Sequence, residues 1–418
     1  MEYATVGIGV NTVAPGVVYT PLHRNTPKDV TERPHSDTGK ECSMITFPRC
    51  LRAAAVVTIL VSLGVAGDVP GGSTRSDRVP AAAPYDDRPG QQPDGLETRR
   101  PYVRGKVPVV LIHGLWGRPQ LWDRMIESLE ADPALGRRYQ FWTFRYTSGD
   151  SIPFSAHLLR QSLRRARRAF DPDGTDAAFD RMVVVGHSLG GILAKMMVQD
   201  SGTRLWQTVC ARPIEQVGGP PEDRRLLQQA FCYSPVPEVR RVIFIATPHR
   251  GSPLAIGPLR VLGTRLCSRP SRFLQSLRTV LANNDPDLFT PEILEELPKS
   301  AGELATGHPL LMGLCDQRIE PSVRSHSIIA DVRDRPDPGA TDGIVPYASS
   351  HLEGVDSELV VRGLHICLDH HAVIWEVRRI LVEHGRDELV SRTDPGNHRG
   401  LESDPRLEGR GPRKHEVQ

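Results

Sequence analysis

The 418-residue chain, 39% hydrophobic and 24% charged, is long enough for one large domain or two ordinary ones with a sizeable core. Lys and Arg number 52 against 50 Asp and Glu, a formal charge of +2, which excludes a long-range field drawing in nucleic acid or an anionic membrane. Seven cysteines without CxxC or Cys/His spacing exclude a readable zinc site.

Residues 1–43 show no apolar period and read as disordered or as a mis-annotated leader. Met44, Arg49 and Arg52 precede the apolar run 53–66, and small residues follow it, the pattern of a signal peptide over 44–67. Such a signal normally opens a chain, so translation is expected to start at Met44; an uncleaved anchor is the alternative. Either implies a secreted, periplasmic or envelope-associated protein. Residues 68–105 are dense in Pro, Gly, Asp and Arg and read as a flexible linker, and residues 386–418 as a polar tail.

Between them, over 106–385, short continuous apolar runs alternate with helical spacing, which predicts an α/β fold with a mostly parallel central sheet flanked by helices. Strands are expected at 107–112, 140–146, 182–185, 239–246, 325–330 and 358–361, and helices at 121–129, 155–170, 192–200 and 372–383. On the second helix Arg160, Arg164, Arg165, Arg167 and Arg168 read as a solvated face opposite Leu159, Leu163, Ala166 and Phe170. Residues 203–237 and 254–323 read as insertions forming a helical cap or lid. Cys210 and Cys232 flank the first of them and are a candidate pair in an oxidising compartment.

Sheets of this kind carry their sites in the loops at the strand C-termini. The strongest local signal is Met182-Val-Val-Val-Gly186-His187-Ser188-Leu189-Gly190-Gly191, an apolar strand running through Gly-x-Ser-x-Gly into a helix. So sharp a turn strains the serine backbone and needs glycine on either side. It also leaves the Leu189 amide aimed at the space above the Ser188 hydroxyl. Upstream, a buried strand ends in His113-Gly114-Leu115.

With these two motifs the chain resembles the lipase and esterase branch of the α/β-hydrolases. The Thr247-Pro248-His249-Arg250-Gly251-Ser252 and Asp342-Gly343-Ile344-Val345-Pro346 segments extend the resemblance over residues 105–385. It implies a Ser188 nucleophile, an oxyanion hole from the Leu115 and Leu189 amides, and the chain order serine, acid, histidine. Asp342 is then the acid, with Asp331, Asp334 and Asp337 as competitors. His365, after the last strand, is the base, with His370 and His371 as rivals at a helix N-terminus where the imidazolium is disfavoured. His113 takes a structural place in the oxyanion turn, His249 a place in the acyl-pocket wall, and His351 a surface or supporting one. The implied activity is cleavage of carboxylic esters through an acyl-enzyme, with no cofactor or metal and with an ester or lipid small molecule as substrate. An acyltransferase and a catalytically silent lipid- or protein-binding scaffold stay open, as do association with a lipid surface and the oligomeric state.

Overall fold

The computed structural model describes residues 95–256, 271–295, 298–333 and 339–393. The readings for 1–43, 44–67 and 68–94, and for the tail beyond 393, lie outside the described residues.

Seven strands, β1 (Gly95–Thr98), β2 (Val107–Ile112), β3 (Tyr139–Arg145), β4 (Met182–His187), β5 (Val239–Ile245), β6 (Arg324–Asp331) and β7 (Ser357–Arg362), form one sheet. Their order is β1-β3-β2-β4-β5-β6-β7, with β1 antiparallel and all the rest parallel. The pleat explains the unbroken apolar runs. Val107, Val109 and Leu111 of β2 pack on one face with Met125 and Ile126 of helix Asp123–Glu130 and with Val373 and Val377 of helix His371–Thr393. Val110 and Ile112 point to the other face, among Leu159 and Leu163 of helix Ile152–Phe170 and Ile192 and Leu193 of helix Leu189–Lys195. A strand covered on both faces has no polar side to alternate with.

Several expectations need correction. Residues 95–98, read as linker, form the edge strand β1: Leu96 and Thr98 turn inward, and Glu97 pairs with Arg145 at 2.5 Å. One aliphatic residue in four gives no period to detect. Nearby Tyr102 stacks on Phe170 at 4.6 Å and hydrogen-bonds Asp176, so the linker reading fails there as well. At the other end the last helix runs to Thr393, eight residues past the expected boundary at 385, and Asp387 pairs with the buried Arg241 at 2.6 Å. The helix expected at 192–200 ends at Lys195, because the Met197 and Val198 amides tighten into i→i−3 bonds to the Ala194 and Lys195 carbonyls and Gln199 bridges to Ile319.

Arg160 is buried rather than solvated. Its guanidinium lies 4.1 Å from the Tyr233 ring centroid and donates to the Gln229 and Ala230 carbonyls, because helix Pro221–Phe231 covers that face. Helix Pro221–Phe231 packs in turn on helix Arg272–Ala282, with Ser276 Oγ donating to Asp223 at 2.7 Å and Phe231 against Phe273, so the two insertions share one core. Cys210 and Cys232 are both free thiols, contrary to the expected pair. Burial pushes both thiols above the ordinary range, Cys232 to about 11, which keeps them protonated and slow to oxidise at neutral pH. Among the described residues no helix is long and apolar enough to cross a membrane.

Candidate active site

β4 ends at the C-terminal edge of the sheet, and Ser188 turns the chain into helix Leu189–Lys195 with φ 54° and ψ −124°. The flanking glycines are obligatory. A Cβ on Gly186 would lie 2.3 Å from the Gly190 carbonyl oxygen, and one on Gly190 would lie 2.2 Å from the Ile112 oxygen. Among the described residues the non-glycine positions with positive φ are Trp116, Ser188 and Ala246, which follow β2, β4 and β5. Backbone strain, about 1–3 kcal/mol at each such residue, therefore collects at one edge of the sheet.

Two loops converge on the serine. His365 follows β7, and its Nε2 lies 2.9 Å from Ser188 Oγ. Its Nδ1 lies 2.7 Å from Asp342 Oδ2, in a pair whose side chains are 10% and 1% exposed. The other Asp342 oxygen accepts from the Ile344 and Val345 amides at 2.8 and 2.7 Å, through a turn in which Gly343 takes φ 94°. An ionised carboxylate only accepts, so Nδ1 carries the ring proton and Nε2 offers its lone pair to the serine hydroxyl. The arrangement can remove the Ser188 proton and hold the resulting imidazolium.

The rival residues stand elsewhere. Asp331 Oδ1 accepts from the Arg333 and Thr341 amides and shapes the loop that leads to Asp342. Asp334 and Asp337 lie outside the described residues. His370 and His371 are exposed at the start of the last helix, and His351 bonds Glu358 at 2.8 Å. His113 is buried and stacked on Tyr146, and its Nδ1 pairs with the Gly114 carbonyl. Burial drives its pKa down to about 4, so it stays neutral.

Leu189 is the immediate neighbour of Ser188, and Leu115 follows Gly114, whose added Cβ would sit 2.9 Å from Ser188 Cβ. Neither the Leu115 nor the Leu189 amide has a backbone hydrogen-bond partner among the described residues. Both remain available to a ligand oxygen above the serine.

Sequence reasoning passed over two supports. His187 Nε2 lies 2.9 Å from the His365 carbonyl oxygen, while the His365 amide donates to the Asp342 carbonyl at 3.1 Å. Burial first, then the neighbouring His365, hold the His187 pKa near 3, so the ring is neutral and Nε2–H is the donor. The backbone of His365 is thus held on both sides. The second support is Gly191, where a Cβ would fall 1.9 Å from Thr247 Oγ1, so the Thr-Pro-His turn after β5 is pressed against the serine helix. The doubled glycine after Leu189 was its visible signal. Among the described residues no group of three or more His, Cys, Asp or Glu is arranged to hold a metal ion.

A mostly parallel sheet with helices on both faces, carrying a strained serine at a strand-to-helix turn, has the α/β-hydrolase fold. The model of the alpha/beta hydrolase family matches residues 109–408, and the chain belongs to that family. Among solved structures, Bacillus licheniformis lipase BlEst2 in mature form is 16% identical with a TM-score of 0.37, covering 68% of this chain and 94% of that one. EstA from Clostridium botulinum is 14% identical with a TM-score of 0.39, covering 67% and 88%. A thermophilic esterase from Thermogutta terrifontis is 13% identical with a TM-score of 0.37, covering 74% and 99%. No curated protein matches the chain. The family membership rests on the sequence match alone.

Proposed function

We propose that the protein is a carboxylic-ester hydrolase of the lipase and esterase kind, acting through Ser188, His365 and Asp342. The observation that carries this reading is the unbroken chain from Ser188 Oγ to His365 Nε2 at 2.9 Å and from His365 Nδ1 to Asp342 at 2.7 Å. His365 takes the Ser188 proton as Oγ attacks the ester carbonyl, and the Leu115 and Leu189 amides hold the oxyanion. The imidazolium then protonates the leaving alcohol, and water, activated by the same ring, releases the acid. Leu364 and Ile366, exposed apolar side chains on either side of His365, favour an apolar acyl group. The leader over residues 44–67 supports a place outside the cytoplasm or in the envelope.

A p-nitrophenyl ester series from acetate upward should show turnover that rises with acyl length, and a fluorophosphonate probe should label Ser188 covalently. A folded protein that neither labels nor turns over any ester is a silent scaffold. An acyltransferase would instead pass the acyl group to an added alcohol in preference to water.

His187 supplies a subtler readout. Loss of its hydrogen bond to the His365 carbonyl costs about 1–1.5 kcal/mol, so His187→Ala should lower kcat by about tenfold with KM little changed. His187→Gln keeps an N–H donor and should recover most of the loss. Equal KM and kcat effects in both variants would remove the positioning role.

A further inference from the structure

β7 stands last in the strand order, paired with β6 on one side, and among the described residues no strand pairs with its outer edge. Such an edge presents a row of backbone N–H and C=O groups that pair readily with another strand. The opposite edge, β1, is four residues long, whereas β7 runs for six as Ser357-Glu358-Leu359-Val360-Val361-Arg362. No proline, lysine or bulge blunts β7, and the aliphatic run Leu359 to Val361 favours extended pairing.

The two faces of the strand differ. Val361 and Leu359 pack on the core beneath helix His371–Thr393, so Glu358, Val360 and Arg362 lie on the opposite face. There Glu358 accepts from the Tyr347 hydroxyl at 2.7 Å and bonds the His351 ring at 2.8 Å. A carboxylate has about four acceptor sites, so it keeps room for an arginine. Arg362 is exposed, and among the described residues no carboxylate pairs with it. One acid and one uncompensated base thus flank Val360 symmetrically on the same face.

On the helix face, a groove of about 390 Å³ runs between β7 and the last helix, with Leu359, Ala372 and Trp375 along it. Trp375 is 53% exposed, and the Arg378 guanidinium lies 5.2 Å from its ring centroid. A tryptophan half in water beside an open strand is apolar surface that an added strand would cover.

We propose that β7 pairs with β7 of a second copy, antiparallel about a two-fold axis at Val360, joining two seven-stranded sheets into one. Residues directly opposite across such a pair share a face. With Val360 opposite its own copy, Glu358 faces the second copy's Arg362 and Arg362 faces the second copy's Glu358, so two ion pairs form together. Leu359 meets Val361 on the helix face, beside the groove. An axis at Val361 sets Arg362 against Val360 and forms neither pair. An axis at Leu359 sets Arg362 against Asp356, which Arg324 already holds at 2.8 Å. Charge complementarity therefore selects one register, and the two serine turns then open at opposite ends of the joined sheet.

Sedimentation velocity of the full chain across the micromolar range should show a reversible dimer. Val360→Lys sets two ammonium groups face to face on the axis and should give monomer throughout. Arg362→Glu sets like charges opposite at both ends of the seam and should weaken the dimer about tenfold, and adding Glu358→Arg to it should restore the affinity. Melting curves identify any variant that fails to fold, and Val360→Lys, at a partly exposed edge position, decides without the charge swaps. A wild type that stays monomeric at every concentration means that another segment of the chain or another partner covers the edge, and overturns the proposal. A dimer that survives Val360→Lys overturns it too, because its seam lies elsewhere. Neither outcome bears on ester hydrolysis, which is scored at Ser188.

Discussion

Ser188→Ala is expected to lower kcat on p-nitrophenyl esters by about 10⁶-fold, and His365→Ala by a similar factor. The two losses should not add. A serine hydroxyl without a base is a poor nucleophile and a base without a nucleophile has nothing to activate, so the double variant should be no slower than either single one. Asp342→Asn tests the third member differently. Asparagine keeps the shape but can present an N–H to His365 Nδ1, which drives the ring proton to Nε2 and turns it away from accepting the serine proton; the expected loss is about 10⁴-fold. The amides proposed to hold the oxyanion are backbone groups, so each variant should keep about 10³-fold of rate enhancement over water. Stopped-flow and long-time-course assays on variants with wild-type melting curves measure all of this. Undiminished turnover in a pure, folded Ser188→Ala sample would end the proposed mechanism.

The second large effect concerns pH and lies outside the proposed set of Ser188, His365 and Asp342. Glu303, in the short helix Ser300–Glu303, is buried against the start of helix Ile152–Phe170. Its carboxylate oxygens accept from Ser151 Oγ at 2.7 Å and from the Ile152 amide at 2.6 Å. Ser300 Oγ donates to the Ser148 carbonyl, and Ser148 Oγ accepts from the Trp116 amide at 2.7 Å, so this cluster ties the second insertion to the turn that carries Leu115. Burial, aided by the neighbouring Asp150, raises the Glu303 pKa from 4.5 to about 7 against the pull of its two donors.

A carboxyl whose pKa is higher in the folded state stabilises the fold fully below the unfolded value and loses that contribution as pH rises through the folded value. The window therefore runs from pH 4.5 to about 7, and the loss is on the order of 3 kcal/mol at 1.36 kcal/mol per unit. Glutamine matches the protonated form, with its oxygen accepting from Ile152 and its amide donating to Ser151 Oγ. Glu303→Gln should melt with the wild type at pH 4.5 and about 5–10 °C above it at pH 8.5. Parallel melting curves at both pH values would mean that Glu303 does not titrate there.

The strands β2 to β7 were legible because each is a short apolar run closed by a turn, and a doubly covered sheet leaves no other reading. β1 was not legible, since four residues with Leu96 as their one aliphatic side chain carry no period, and its place comes from pairing with β3. Arg160 shows the same limit from the other direction. Its helical position is readable, but whether that face meets water depends on helix Pro221–Phe231, which returns more than sixty residues later to cover it. The site divides similarly: Gly186, Gly190 and Ser188 are a local steric pattern, whereas the His187 bond to the His365 carbonyl spans 178 positions and has no local signature.

By itself, the sequence determined the alternation of strand and helix, the strained serine turn and the few carboxylates and imidazoles able to serve it, because these follow from side-chain volume, backbone sterics and the order of segments along the chain. The tertiary structure alone decided which imidazole stands 2.9 Å from Ser188, and which carboxylate faces it. The reason is physical: hydrogen bonds and burial act over a few ångströms in space, and the chain brings remote positions to that range only once the sheet has closed its order and both faces are packed.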